Sequence, residues 1–287
     1  MRKAILRFVL PVVLGLTLGV LLIVLFENKL IYFPAKYPEG SWQPGTYSLR
    51  AEDCFFRSDD GVQLHGWFFP VDTPRATLLW CHGNAGNITH RLDNAWRLLR
   101  LGVSVFIFDY RGYGRSEGTP SEEGLYLDAM AAYRFVTEEK HVNASALVIF
   151  GRSIGASVAV DLASRRPCGG VILESAFTSA KDVASELWPF LPIRWFVRSQ
   201  FDAASKIGRI NVPILFTHGT RDATVPLRLG QKLFGLANEP KWFYQIEGAD
   251  HNDTYIVGGE RYFRRIGEFI STISNCPEET SWEQVRQ

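Results

Sequence analysis

Short apolar runs recur along this chain, and most are too brief for helices. They are Ala76–Cys81, Val103–Phe108, Leu147–Phe150, Val171–Leu173, Ile214–Phe216 and Trp242–Ile246. Runs of this length bounded by Gly, Pro and polar residues predict buried strands. Longer helical patterns separate them, clearest at Ser121–Glu138 and Glu260–Ile273. Alternation of this kind predicts an α/β fold with a mostly parallel central sheet flanked by helices on both faces. Upstream, Leu49–Phe56 and Leu64–Phe69 flank an Asp59-Asp60-Gly61 turn and predict antiparallel edge strands. Leu30–Gly45 reads as an irregular stretch.

The N-terminus has a different pattern. Phe8–Phe26 carries no charge and is long enough to cross a bilayer core. Arg2, Lys3 and Arg7 precede it, which predicts a transmembrane helix with a cytoplasmic N-terminus and the remaining chain on the far side. A cleaved signal peptide is the rival, but no small-x-small site follows Phe26. Residues 1–28 are expected to anchor the protein, 29–45 to lie close to the membrane, and 46–287 to form one folded domain.

Candidate chemistry falls at the ends of the predicted strands. Gly151-Arg152-Ser153-Ile154-Gly155 follows an apolar run and precedes the small-residue helical pattern Ala156–Ala163. A strand, a tight turn and a helix expose a serine hydroxyl at the top of the turn. Asp222 follows the run at Pro213–Phe216, and His251 follows Lys241–Ile246. A serine hydroxyl is a poor nucleophile until a base takes its proton; histidine titrates in the right range, and a carboxylate fixes its tautomer. Ser153 is therefore the expected nucleophile, His251 the general base and Asp222 the orienting acid. Glu174, which ends another core run, is the weaker candidate for the acid. Asp250 and Asp253 lie too near His251 in sequence to orient its ring.

An oxyanion formed at Ser153 needs donors. The Ile154 N–H opens a helix, where developing negative charge is stabilised. The second donor is expected from His82-Gly83-Asn84-Ala85-Gly86-Asn87, with the Asn84 N–H preferred over that of Ala85. His82 is expected to brace this loop rather than to act as a base.

These residues resemble the α/β-hydrolase superfamily, in which the triad runs in the order Ser, Asp, His. The likeness extends from the oxyanion turn to His251. Asp109-Tyr110-Arg111-Gly112-Tyr113-Gly114-Arg115-Ser116-Glu117-Gly118 is similar to a loop that follows another core strand there. Within the superfamily, the N-terminal span, Ile31-Tyr32-Phe33-Pro34 and the Gly83–Asn87 turn resemble membrane-anchored serine hydrolases related to the α/β-hydrolase-domain (ABHD) depalmitoylases. Some of those attach through an N-terminal cysteine cluster; here no cysteine precedes Cys54. The resemblance implies an α/β-hydrolase fold, but not a particular substrate.

Composition narrows the partners. A net charge of +1 gives no electrostatic case for nucleic acid. The cysteines Cys54, Cys81, Cys168 and Cys276 lack metal-like spacing, and Cys81 reads as a buried thiol. No metal or organic cofactor is expected. Residues 176–210 read as the lid insertion, with Trp188, Phe190, Trp195 and Phe196 forming an acyl groove, packing on the domain's own helices, or touching the bilayer. The expected activity is hydrolysis of carboxyl esters or thioesters of acyl or lipid type, with amides less favoured. The opposing reading is a catalytically silent, membrane-tethered binding protein on the same fold.

Overall fold

The computed structural model describes residues 15, 19, 26–47, 49–190 and 196–274. The elements run, in chain order, α1 (residues 26–31), β1 (Phe33–Pro34), β2 (Glu52–Arg57), β3 (Gln63–Phe69), β4 (Thr77–Cys81), β5 (Ala85–Gly86), α2 (Leu92–Leu99), β6 (Ser104–Asp109), α3 (Glu122–Arg134), β7 (Leu147–Arg152), α4 (Ile154–Ala163), β8 (Gly170–Glu174), α5 (Ala180–Leu187), α6 (Ala204–Ile207), β9 (Ile214–Gly219), α7 (Leu227–Leu236), β10 (Lys241–Ile246) and α8 (Thr254–Ser274).

An eight-stranded sheet in the order β10-β9-β8-β7-β4-β6-β3-β2 forms the centre. Its strands from β10 to β6 are parallel, while β3 pairs antiparallel with both β6 and β2. Every residue of β4, β6, β7 and β8 is buried. That is why these strands read as continuous apolar runs: helices cover both faces. Leu79, Phe106 and Phe108 face α3, α4 and α7, whereas Trp80, Ile107 and Phe150 face α2 and α8.

The topology positions the site. The chain leaves β4 toward β6 on one side and returns to β7 on the other, so β4 and β7 border a switch point. Ligands bind in the crevice outside the strand ends at such a point. Cys81 pairs with Gly151 in the register of these two strands. The loop from His82 and the turn at Ser153 therefore leave the sheet side by side.

Several expectations are corrected. β3 is not an edge strand, because its second side is taken by β6. Leu30–Gly45 is not irregular throughout. Phe33–Pro34 pairs in parallel with Ala85–Gly86, and a 3-10 turn follows at Pro44–Tyr47. The helix expected over Ser121–Glu138 is α-helical only to Arg134 and continues as a π-helical turn, Phe135–Glu139. The last helix begins at Thr254 and bends at Gly259, whose φ of 51° is open to glycine.

Most of the expected span Phe8–Phe26, its basic flank, Trp195 and Cys276 lie outside the described residues. Among the described residues no helix is long and apolar enough to cross a membrane. The insertion at 176–210 contains α5 and α6. Ala176, Phe201 and Ile207 root its ends in the core, while Phe190 projects into solvent, 97% exposed. Cys54, Cys81 and Cys168 are free, buried thiols.

Candidate active site

Ser153 occupies the turn between β7 and α4 with φ 55° and ψ −122°, a backbone conformation that L-residues rarely adopt. Its N–H donates to the Glu174 carbonyl at 2.8 Å, which ties the turn to the end of β8. Close packing explains the flanking glycines. A Cβ at Gly155 would lie 2.1 Å from the Cys81 carbonyl oxygen, and one at Gly151 would lie 2.3 Å from that of Gly155. Helix α4 can pass across the end of β4 only without those atoms.

Asp222 follows β9 and His251 follows β10. The Ser153 hydroxyl lies 3.0 Å from His251 Nε2, and His251 Nδ1 lies 2.8 Å from Asp222 Oδ2. All of these residues are buried. Burial opposes ionisation of Asp222, yet hydrogen bonds from His218 and His251 outweigh it and hold the carboxyl well below the usual carboxylate range. An ionised carboxylate only accepts, so Nδ1 carries the imidazole proton. Nε2 then keeps its lone pair and accepts the serine O–H. Backbone N–H groups of Thr224 and Val225 donate to Asp222 Oδ1 at 3.0 and 2.7 Å.

The acid's competitor has another task. Glu174 is fully buried and accepts from Thr254 Oγ1 at 2.8 Å and from the Tyr262 hydroxyl. It also pairs with Arg152 Nε at 2.9 Å. Asp250 and Asp253 shape the histidine loop: Asp250 Oδ1 accepts the N–H groups of His251 at 2.7 Å and Ala223 at 3.0 Å, and Asp253 Oδ1 accepts that of Asp250 at 2.7 Å. His82 Nδ1 donates to the Gly83 carbonyl at 2.7 Å. Full burial pushes its pKa down to about 3 and that of neighbouring Asp109 up to about 8, so the two face each other uncharged at neutral pH.

Two participants were not expected. His218 Nε2 lies 2.9 Å from the Val225 carbonyl and 3.4 Å from Asp222 Oδ2. A carbonyl only accepts, so this nitrogen carries a proton, and it approaches the same carboxylate oxygen as His251 Nδ1. The i, i+4 spacing of His218 and Asp222 was the available signal. Arg152 occupies a free position of the serine motif, and nothing in the sequence singles it out. Its guanidinium donates to the His251 carbonyl at 2.5 Å and to Asn252 Oδ1 at 3.0 Å.

The oxyanion candidates lie on the two backbone segments that border Ser153. Gly83 passes so close that a Cβ on it would lie 3.6 Å from Ser153 Cβ, and Asn84 is the next residue. Ile154 is the first residue of α4, so its N–H has no acceptor within the helix's own ladder. Of the expected groove residues, Trp188 is 49% exposed and Phe196 is half-buried. A cavity of about 500 Å³ beside the insertion is lined by Glu27, Asn28, Glu122, Tyr126, Arg198 and Ser199, and is not apolar. Among the described residues no group of His, Cys, Asp and Glu is arranged to hold a metal ion.

A strained serine elbow after a central parallel strand, with acid and histidine on later strand ends, is the architecture of the α/β hydrolases. The chain belongs to this family. It is 36% identical over 281 residues to the α/β-hydrolase domain-containing protein WAV2 of Arabidopsis thaliana, across 88% of this chain and 90% of that protein. Protein bem46 of Schizosaccharomyces pombe is 34% identical over 258 residues, covering 85% of this chain and 86% of bem46. Residues 72–203 match the family described as serine aminopeptidase, S33. An esterase from Pyrococcus furiosus shares the fold with a TM-score of 0.71 at 23% identity, over 85% of this chain and 100% of that one.

Proposed function

We propose that this protein is a serine hydrolase that cleaves carboxyl esters or thioesters of acyl or lipid type through an acyl-enzyme. The observation that carries the reading is the unbroken relay from Ser153 Oγ to His251 Nε2 at 3.0 Å and from His251 Nδ1 to Asp222 at 2.8 Å. His251 takes the hydroxyl proton as Ser153 attacks the carbonyl. The tetrahedral oxyanion is received by the N–H groups of Ile154 and Asn84. His251 then protonates the leaving alcohol or thiol, and a water that it activates releases the acid. Each oxyanion donor is worth on the order of 10²–10³ in kcat in enzymes of this kind. No step calls for a metal or organic cofactor.

The serine aminopeptidase match at 72–203 keeps amides as a second substrate class. The basic residues Arg2, Lys3 and Arg7 before Phe8–Phe26 support a single-pass anchor with a cytoplasmic N-terminus and the catalytic domain on the other side. With the Gly83–Asn87 turn, they also support a place among membrane-anchored hydrolases related to the ABHD depalmitoylases.

A fluorophosphonate probe tests the reading. Wild-type protein is expected to label at one serine, and Ser153→Ala to lose the label. Unlabelled wild-type protein would establish the silent binding protein instead. Parallel assays on a p-nitrophenyl ester, an acyl thioester and an aminoacyl p-nitroanilide separate the substrate classes; faster anilide turnover would move the assignment to peptidase.

A further inference from the structure

The segment between the apolar N-terminus and the first long strand is stitched to the oxyanion loop. The Phe33 N–H donates to the Asn84 carbonyl at 3.0 Å, and the Ala35 N–H donates to the Gly86 carbonyl at 3.0 Å. In return, Asn84 Nδ2 donates to the Ile31 carbonyl at 2.8 Å, and Asn87 Nδ2 donates to the carbonyls of Ala35 and Glu39 at 3.1 and 2.8 Å. Asn87 is fully buried in this contact. The strap is held on its other side as well. The Gly114 N–H donates to the Ala35 carbonyl at 3.0 Å, and Gly114 accepts from the Tyr37 N–H at 2.9 Å. Tyr37 and Trp42 each place a ring 4.8 Å from the Arg115 guanidinium.

Two of these bonds meet at one residue. The Asn84 carbonyl is fixed by Phe33 and by the Tyr113 hydroxyl at 2.7 Å, and its side chain is fixed by Ile31. The backbone N–H is the group left for substrate. A donor stabilises a transition state best when it is already aimed and does not reorganise during the reaction. A loop rich in glycine and short polar residues does not supply that rigidity alone.

We infer that the strap Ile31–Glu39 is a positioning element of the active site, which pre-sets the Asn84 N–H as an oxyanion donor through the Asn84 and Asn87 side chains. The inference rests on the hydrolase reading above.

The test uses the full-length protein with Asn84→Ala and Asn87→Asp. The second variant keeps the oxygen that accepts from the Thr89 N–H at 3.0 Å and loses the donors to the strap. Kinetics on a p-nitrophenyl ester, the inhibition constant of a trifluoromethyl ketone that forms a tetrahedral adduct, and thermal melting are measured together. Each variant is expected to lose about 10- to 100-fold in kcat, one oxyanion donor being worth up to about 10³. KM should stay within about threefold, and ketone affinity should fall by the same factor as kcat/KM. Melting temperatures that fall while kcat and ketone affinity hold would make the strap purely structural and overturn the proposal. Equal losses in ketone affinity and in affinity for a non-reactive alcohol product would also overturn it. Fluorophosphonate labelling of wild-type protein is run alongside; its absence would remove the hydrolase reading, and the strap's role with it.

Discussion

Arg152 reaches from the residue before Ser153 to the backbone carbonyl of His251, 99 positions later in the chain. The same side chain pairs with buried Glu174, so one guanidinium ties the end of β7 both to the His251 loop and to the end of β8. Ser153's turn and His251 are thus linked twice: through the serine hydroxyl, and through the Arg152 guanidinium.

Replacement of that link separates geometry from charge. Arg152→Lys keeps a cation beside Glu174 but lacks the fork that also reaches His251 and Asn252. Because a misplacement of about 1 Å can cost about 10²-fold, kcat is expected to fall roughly 10- to 100-fold while KM holds. Steady-state kinetics together with urea unfolding check this. An unchanged kcat would show that the histidine loop holds its place without the arginine.

The two acids are expected to fail in different ways. Asp222→Asn leaves the fold in place but favours the wrong imidazole tautomer, at a cost of about 10⁴ in kcat. Glu174→Gln weakens a buried ion pair with Arg152 and should cost about 3–5 kcal/mol of stability, with a smaller loss of kcat per folded molecule. Chemical denaturation and active-site-titrated kinetics separate the two. The reverse ranking would transfer the orienting role to Glu174.

Asp109 predicts an unusual pH dependence. Burial pushes its pKa up to about 8, against the pull of the Ile88 N–H and Arg91. The native state therefore holds a proton that the unfolded chain releases near its ordinary value of about 3.9. Its contribution to stability declines as pH rises between about 4 and about 8, by at most about 1.4 kcal/mol per pH unit. Asp222 acts in the opposite sense: its depressed pKa supports stability above about pH 4, and that support is lost as pH falls further. Asp109→Asn keeps an acceptor for the Ile88 N–H, so it should gain stability relative to wild type at pH 8 compared with pH 5. Equal differences at both pH values would mean that Asp109 is ionised in the native state.

The insertion bears on substrate length. Phe190 and Trp188 offer exposed apolar surface on a segment whose ends are rooted in the core. A buried methylene is worth roughly 0.8 kcal/mol. Accordingly, kcat/KM should rise from acetyl to medium-chain esters, and Trp188→Ala with Phe190→Ala should flatten that rise more than it lowers acetyl turnover. An acetyl preference untouched by both substitutions would leave these side chains as a bilayer contact or simple packing.

What the sequence disclosed follows from physical pattern. The runs that became β4, β6, β7 and β8 were legible because strands buried on both faces carry little but apolar residues. The convergence of Ser153, Asp222 and His251 was legible because each follows a strand-like run, although β10 is only partly buried. The pairing of Phe33–Pro34 with Ala85–Gly86 was not, since two residues per strand are too few to show a period, and their bonds are made by backbone that every residue possesses. Arg152 was hidden for another reason: its partners, Glu174 and the His251 carbonyl, are neighbours only after β8 and β10 are in place. The π-helical turn after Arg134 likewise had no apolar signature to separate it from the helix it extends.

The pairing of β1 with the loop after β4 has a consequence for how the protein comes into being. The strap is synthesised before the serine elbow, and the elbow before His251. Chains fold from their N-terminal parts as they emerge, yet contacts between distant positions wait for both partners. The loop at Asn84 is therefore able to set before the base that works with it has been translated. In a nascent chain Ser153 stays without its contact to His251 until β10 docks beside β9, so the pairing of the two side chains comes after both the strap and the elbow.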